Sequence, residues 1–356
     1  MGSYGNNGKI NLEELNENLK KNIEGLTYQG NSISDTNKIK NLPEIVIVDG
    51  YKVKIWESGD VTLEGENSQK PPVYEVAVPG EKVEGEKNKI YTKNGTAVIP
   101  VGFVIVPGLD DVEEGLVISD NIEDTEENIN AKVAKGNQFV WIPVTDETKY
   151  ERNTTYYDIN VSTSSNDDTG YLPEGIINEE QAVRNVKGFY ISRYEAGKEG
   201  TKLVSKKEAN VWDNISQEEA KSAAKTMFQD NNHVKSALLS GTQWDMTMSF
   251  ITRTPLRKDG LGINDYDVTK DHSSRHIGDN VAKAGNNEAD KVCNIYDLEG
   301  NAWEFVAEKN TYERNLPVNG RGGFYINFDG RGASARLDDT GNAQTAASFR
   351  LVLYVI

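Results

Sequence analysis

The tightest constraint on this chain is a set of three short stretches near its C-terminal end. The first runs Asn294-Ile295-Tyr296-Asp297-Leu298-Glu299-Gly300-Asn301-Ala302-Trp303-Glu304-Phe305. The second is Gly320-Arg321-Gly322-Gly323-Phe324-Tyr325 and the third Ser348-Phe349-Arg350-Leu351-Val352-Leu353-Tyr354. Gly300-Asn301 marks a turn, because both residue types tolerate a left-handed backbone. Trp303 and Phe305 stand two apart and would share one buried face of a strand. Gly322-Gly323 lets the backbone approach another segment closely. Phe349, Leu351 and Leu353 alternate with Arg350, Val352 and Tyr354, the pattern of a final strand.

In order and spacing, these pieces resemble the formylglycine-generating-enzyme branch of the C-type lectin fold. That family's pattern runs Gly-Asn-x-Trp-Glu-Trp, then Arg-Gly-Gly-aromatic, then Gly-Phe-Arg. The chain departs from it at Phe305 and Ser348. Three earlier stretches extend the likeness. Phe139 to Val144 resembles the opening strands of the domain, and Gly188 to Glu195 the next strand, which ends in a Tyr-Glu pair. Ser240 to Asp245 resembles a helix start, with Trp244 in the place of a buried tryptophan. The resemblance implies an α+β fold: a twisted antiparallel sheet with two helices and long insertions. The lectin-like domain is expected over 91–356, with insertions near 149–182 and 254–289.

The N-terminal part reads separately. Leu12, Leu15, Leu19 and Ile23 have helical spacing, with Gly25 to end the helix. This helix packs on its own domain or is the soluble end of a membrane or pilus anchor, as in pilin-like surface proteins. No signal peptide or membrane span is visible, and Met1-Gly2-Ser3 has the look of a cloning remnant that replaced a native leader. Glu44 to Val48 and Tyr51 to Trp56, split by Asp49-Gly50, read as a hairpin, followed by a strand at Asp60 to Leu63. Residues 1–66 thus form a helix-and-hairpin unit, and 67–90 a polar, proline-containing linker.

Beyond it, Thr96 to Val106, Gly115 to Ile118 and Gln138 to Val144 are apolar enough for interior strands. Asp120 to Ala134, acidic and without aromatics, is expected to loop out. Thr145 to Ala182 reads as a solvated insertion whose two sequons, at Asn153 and Asn160, carry little meaning in a bacterial protein. Ser216 caps a helix to Met227, with Glu218 and Glu219 in its first turn and Ala220, Ala223 and Met227 on its apolar face.

Composition narrows the function. A net charge of −17 argues against a nucleic-acid partner, which needs clustered Lys and Arg, and suits a bacterial surface or extracellular protein kept soluble by self-repulsion. The single cysteine, Cys293, excludes an intrachain disulfide. The family's enzymes oxidise a substrate cysteine with copper held by two cysteines. Leu351 stands where one of these is usual, and one thiol cannot supply the paired soft ligands that copper(I) needs. The chain is therefore read as no enzyme. His272 and His276, four apart, form the one imidazole pair, in a loop-like stretch without a glutamate between them.

Asn294, Asp297, Glu299, Asn301 and Glu304 crowd oxygen donors around one turn, as hard cations prefer. Some relatives bind calcium with this motif, so Asn301 and Glu304 are the candidate ligands for a structural calcium. The preferred alternative has Asn301 satisfying the turn and Glu304 accepting buried hydrogen bonds. The triplets of a calcium-dependent sugar lectin are absent, and Trp212-Asp213-Asn214 has the wrong order.

A binding surface remains. Phe324, Tyr325, Asn327, Phe328, Asp329, Arg331, Asp338, Asp339, Asn342 and Gln344 mix aromatics with short polar groups, as antibody-like contact surfaces do. A polar loop with two core aromatics is the plainer alternative. The layout resembles the variable proteins of diversity-generating retroelements, whose C-terminal segment is rewritten to change ligand choice. The expectation is a diversified receptor for a protein or glycan ligand. A minor pilin or phage-type adhesin of fixed specificity is second, and an oxidase of the formylglycine-generating type third.

Overall fold

In the computed structural model, described residues are 76–356 apart from 133, 147, 153–168, 254–279, 311–314 and 326–331, with the backbone of five short strands before residue 64. The chain divides into two compact units, Met1–Val46 with Lys52–Val73, and Ile47–Tyr51 with Tyr74–Ile356. Strands β1 (Leu26–Tyr28) and β2 (Asn31–Ile33) pair antiparallel. β3 (Glu44–Val48), β4 (Tyr51–Ile55) and β5 (Val61–Leu63) form a three-stranded sheet in that order, and the expected Asp49-Gly50 turn lies outside the described residues. The expected helix over Leu12 to Ile23 and the stretch from 66 to 72 lie outside the described residues.

The second unit is α+β. It continues with β6 (Lys89–Thr92), β7 (Thr96–Ile99), β8 (Val104–Ile105), β9 (Val117–Ser119), α1 (Glu126–Asn130) and β10 (Gln138–Pro143). Next come α2 (Glu179–Val186), β11 (Gly188–Ser192), β12 (Gly197–Glu199), β13 (Lys202–Val204), α3 (Gln217–Thr226), β14 (Val234–Leu238) and α4 (Gly241–Arg253). The chain closes with β15 (Trp303–Lys309), β16 (Val318–Arg321), β17 (Arg336–Asp339), β18 (Ala347–Phe349) and β19 (Leu351–Val355). Among the described residues, no helix is long and apolar enough to cross a membrane.

Two sheets organise the unit. The larger has the order β14-β19-β11-β10-β9-β8, with every pairing antiparallel. Its central strands are buried along their length, so they read as continuous apolar runs rather than alternating ones. Trp141 on β10 packs against Tyr190 on β11, with ring centroids 4.8 Å apart and the planes tilted by 60°. A Cβ on Gly188 would come within 2.3 Å of the Trp141 ring, so the indole needs glycine there. The smaller sheet has the order β17-β16-β15-β18, with β15 and β18 parallel.

Helix ends follow their local chemistry. Ser216 and Glu219 form a reciprocal capping box at the start of α3. The buried stripe of α3 is Gln217, Ala220, Lys221 and Ala224, rotated one step from the stripe expected through Ala223 and Met227. Ser240 and Gln243 cap α4 in the same reciprocal way, at 3.0 and 3.1 Å.

Several boundaries differ from the sequence reading. Residues 76–90, expected within the linker, belong to the second unit: Val76 bridges to Ile90, Lys82 to Val104, and Ala77 and Val83 are buried. Asp120 to Ala134 does not simply loop out. Asp124 is buried, and its carboxylate accepts from Ser119 Oγ and from the N–H groups of Lys135 and Gly136. The end of the 149–182 insertion is also built in. Glu179 at the start of α2 accepts hydrogen bonds from the hydroxyls of Tyr150, Tyr171 and Ser240.

The final strand is two strands. β18 belongs to the smaller sheet and β19 to the larger, and Arg350 sits between them. Every residue from Ala347 to Val355 is buried, so the expected alternation between Phe349, Leu351, Leu353 and Arg350, Val352, Tyr354 does not separate inside from outside. The Arg350 guanidinium is fully buried. Its Nη2 and Nε donate to Glu304 on β15 at 2.6 and 2.9 Å, Nη1 to the Ser192 carbonyl at 3.0 Å, and Nη2 to the Tyr296 carbonyl at 2.8 Å.

The segment before β15 is pinned by rings to the residues that follow β11. Tyr296 stacks on Tyr194 with centroids 5.1 Å apart, and the Arg193 guanidinium lies 5.3 Å from the Tyr296 centroid. The Tyr296 hydroxyl donates to Glu288 at 2.8 Å, and Lys207 and Lys291 pair with the same carboxylate. Burial alone would raise the Glu288 carboxyl, but the Lys207 and Tyr296 hydrogen bonds and the two ammonium groups bring it down to about 2 from an ordinary 4.5.

Two stability outcomes follow from these contacts. Arg350→Met leaves the Glu304 carboxylate buried without its partner and is expected to lower unfolding free energy by about 3–5 kcal/mol in urea. Glu304→Leu in that background recovers part of the loss, because the uncompensated charge goes with it. For Glu288, the folded value lies below the unfolded one, so its contribution is complete above about pH 4.5 and is lost as pH falls toward 2. The melting-temperature gap between wild type and Glu288→Gln should narrow across that interval.

Candidate functional site

The candidate surface is built on the smaller sheet. In the parallel β15/β18 pair, Trp303 lies beside Ala347 and Phe305 beside Phe349. The Trp303 N–H donates to the Ala346 carbonyl at 2.7 Å. On the other side of β15, Gly320 stands opposite Phe305, and a Cβ on it would meet the Trp303 ring at 3.5 Å. Trp303 and Phe305 therefore do share one face, and the indole lies over the glycine.

Arg321 then fixes where the chain leaves β16. Its guanidinium is fully buried, donates to Asp245 on α4 at 2.7 Å and to the Ala335 carbonyl at 3.1 Å, and lies 5.4 Å from the Trp244 ring. Arg336 on β17 donates to the other Asp245 oxygen at 2.8 Å and to Glu308 at 3.0 Å. Burial raises the Glu308 carboxyl, but Arg336, Arg321 and Arg152 outweigh it and hold the group below its ordinary range. After Arg321 comes Gly322 at φ +82°, and a Cβ there would lie 2.6 Å from the Leu298 carbonyl oxygen. The Gly322 carbonyl accepts from Gly300 N–H at 2.8 Å, so the two glycine turns lock together.

That lock delivers two of the expected contact residues. Phe324 stands 5.9 Å from Trp303 and Tyr325 5.8 Å from Phe324, both half-buried. The Tyr325 N–H donates to the Asn301 carbonyl at 3.0 Å. Asn327, Phe328, Asp329 and Arg331 lie outside the described residues, as do His272 and His276.

A second group gathers at the end of β17. Asp339 accepts from Gly341 N–H at 2.7 Å and from Gln344 Nε2 at 2.5 Å, and Asn342 and Gln344 are exposed. Asp338 does not join them. Strand alternation turns it away from Asp339, to the side of Arg336 and of its cross-strand neighbour Asn319, both fully buried. The expected set thus resolves into an aromatic pair beside Trp303 and a polar trio of Asp339, Asn342 and Gln344.

The sequence reading missed the segment that borders this trio. Asn214 N–H donates to the Gln344 carbonyl at 3.1 Å, and Ile215 bridges to Gln344. Trp212 packs 6.1 Å from Phe349. The one signal for it was Trp212-Asp213-Asn214 itself, weighed only as a calcium-lectin triplet.

Asn301 and Glu304, the candidate calcium ligands, spend their side chains on protein partners. Both Glu304 oxygens are taken by Arg350. Asn301 donates to Glu195 and accepts from Ala282 N–H at 2.8 Å. Burial, with Asp297 and Glu304 nearby, pushes the Glu195 carboxyl well above its ordinary range. Among the described residues, no group of three or more His, Cys, Asp or Glu side chains is placed to hold a metal ion. Cys293 is buried, in the Val292 to Ile295 turn.

No protein-family model matches the chain, and no curated protein matches it. Because protein groups occupy the Asn301 and Glu304 side chains, neither chelator nor added calcium is expected to move the melting temperature. A calcium-dependent rise would restore Asn301 and Glu304 as ligands.

Proposed function

We propose that this chain is a non-catalytic binding protein, displayed at a bacterial surface, on a scaffold of the C-type lectin type. Its contact surface lies near the C-terminal end and takes a protein or glycan ligand. As in the variable proteins of diversity-generating retroelements, side chains at that surface change while the frame stays.

One observation supports this most: a contrast between neighbours. Trp303, Glu304, Arg321, Phe349 and Arg350 are buried and tied to one another or to the large sheet. Phe324, Tyr325, Asp339, Asn342 and Gln344 reach solvent in part or fully, and Tyr325, Asp339 and Gln344 are joined to their surroundings by main-chain hydrogen bonds. Main-chain bonds hold whatever the side chain is, so such positions tolerate replacement. Aromatic and short polar groups on a rigid frame suit adaptable recognition.

A library with Tyr325, Asp339, Asn342 and Gln344 randomised tests the reading. Most members are expected to keep the parent's cooperative unfolding, and selection on an unrelated protein should yield binders. A library randomised at Trp303, Arg321 and Arg350 should mostly fail to fold. If the surface library collapses as the frame library does, the patch is structural and the proposal fails. In the genome, a near-identical template repeat beside a reverse-transcriptase gene is expected. Its absence, with a tolerant surface library, leaves an adhesin of fixed specificity.

A further inference from the structure

We propose that the irregular part of β15 encloses an internal hydration site, with water held by the side-chain amide of Asn319 on β16. The site belongs to the frame that carries the contact surface, and it stands or falls independently of what that surface binds.

The site arises from a break in the β15/β16 ladder. Phe305 pairs with Gly320 and Lys309 with Val318, so Val306, Ala307 and Glu308 stand opposite Asn319 alone. Extra residues on one strand bend it and interrupt the ladder. The main chain there is used elsewhere. The Gln217 side chain on α3 donates to the Val306 carbonyl at 2.6 Å, and Ala307 N–H donates to the Leu239 carbonyl at 2.9 Å. By strand alternation, Asn319 shares a face with Glu308, Arg321, Arg336 and Asp338, in keeping with the Arg321 to Glu308 contact at 3.4 Å.

The Asn319 amide points to an occupant. The residue is inaccessible to solvent, yet neither its Nδ2 nor its Oδ1 has a hydrogen-bond partner among the described residues. Buried amides are nearly always bonded, because an unmet donor or acceptor carries its full desolvation cost. The charged groups on the same face do not serve it, being engaged with one another. Glu308 meets Arg152, Arg321 and Arg336, and Asp245 meets both Arg321 and Arg336. A buried polar site with an unbonded donor and acceptor takes up water, whereas an apolar one stays dry. Ser348 Oγ is also buried and unbonded, but it stands in the unbroken β15/β18 pairing beside Glu304, where no strand gives way to make room.

Chemistry selects water over an ion. A side-chain amide presents N–H donors and a carbonyl acceptor together, so its occupant must both accept and donate. A cation would leave the N–H groups unmet and would lie on the face of the Arg321 and Arg336 guanidiniums. An anion would leave the carbonyl unmet and would lie on the face of the Glu308 carboxylate. Water satisfies both ends of the amide and can pass a further hydrogen bond to the charged groups on that face.

Rotating-frame Overhauser spectra of the isotope-labelled full chain test this. The Asn319 side-chain amide protons, assigned through the main chain, should show a cross-peak to water opposite in sign to an exchange peak. Its absence overturns the inference, and because it is read on the wild-type chain it decides the matter even where a variant does not fold. Replacing sodium chloride by potassium nitrate should leave those resonances unmoved. An ion-specific shift overturns the inference in favour of a bound ion. Unfolding in urea gives an independent reading. A dry, unmet amide destabilises the fold, so Asn319→Leu would raise the midpoint. A hydrated amide loses its water to the leucine, and the midpoint falls. The expected result is a lower midpoint for Asn319→Leu and an unchanged or higher one for Ser348→Ala. A higher midpoint for Asn319→Leu overturns the inference. So does an equal fall in both variants, which would assign the loss to buried polar groups at large.

Discussion

The structure turns on one guanidinium. Arg350 stands where the chain passes from the smaller sheet to the larger, and it donates to β15, to the end of β11 and to the 296–297 turn at once. A planar fork of donors can satisfy this set; an ammonium with three donors and no plane cannot. Without those bonds, the carbonyls of Ser192 and Tyr296 and the carboxylate of Glu304 would be stranded in a water-free interior, where each unmade hydrogen bond is costly. The two sheets are therefore coupled by polar geometry as well as by apolar contact.

The same solution is used a second time. Asp245, Glu308, Arg321 and Arg336 have inaccessible side chains and balance as two carboxylates against two guanidiniums, with Arg152 reaching Glu308 from the edge. A buried ion pair adds little net stability over a well-packed apolar substitute, but it tolerates few alternative arrangements. Its effect here is positional. It sets β16 and β17 against the first turn of α4, and so sets where Gly322 releases the chain toward Phe324.

How much of this could be read in advance depended on the kind of signal. The turn signal was dependable at Gly300-Asn301, where both residues adopt the left-handed backbone. So were the cap at Ser216 and the helix start at Ser240. Alternation failed at β19, since a central strand covered on both faces leaves no polar side to see. Charge misled in a similar way at Asp124 and Arg350, where acidic or basic letters suggest solvent but hydrogen bonding permits burial. The aromatic pair Phe324 and Tyr325 stands out in composition, whereas the pairing of the segment after Trp212 with Gln344 spans more than a hundred residues, which no local pattern encodes.

The pleat of β17 has a combinatorial consequence. Of two adjacent aspartates, one meets Gln344 and the other turns toward Arg336 and Asn319. Neighbouring residues in that strand thus face unlike physical constraints: one borders an exposed polar loop and the next is answerable to a charged interior. Any process that rewrites this strand wholesale would lose most of its products to misfolding. One that edits every other residue would retain them, at half the sequence diversity its length suggests.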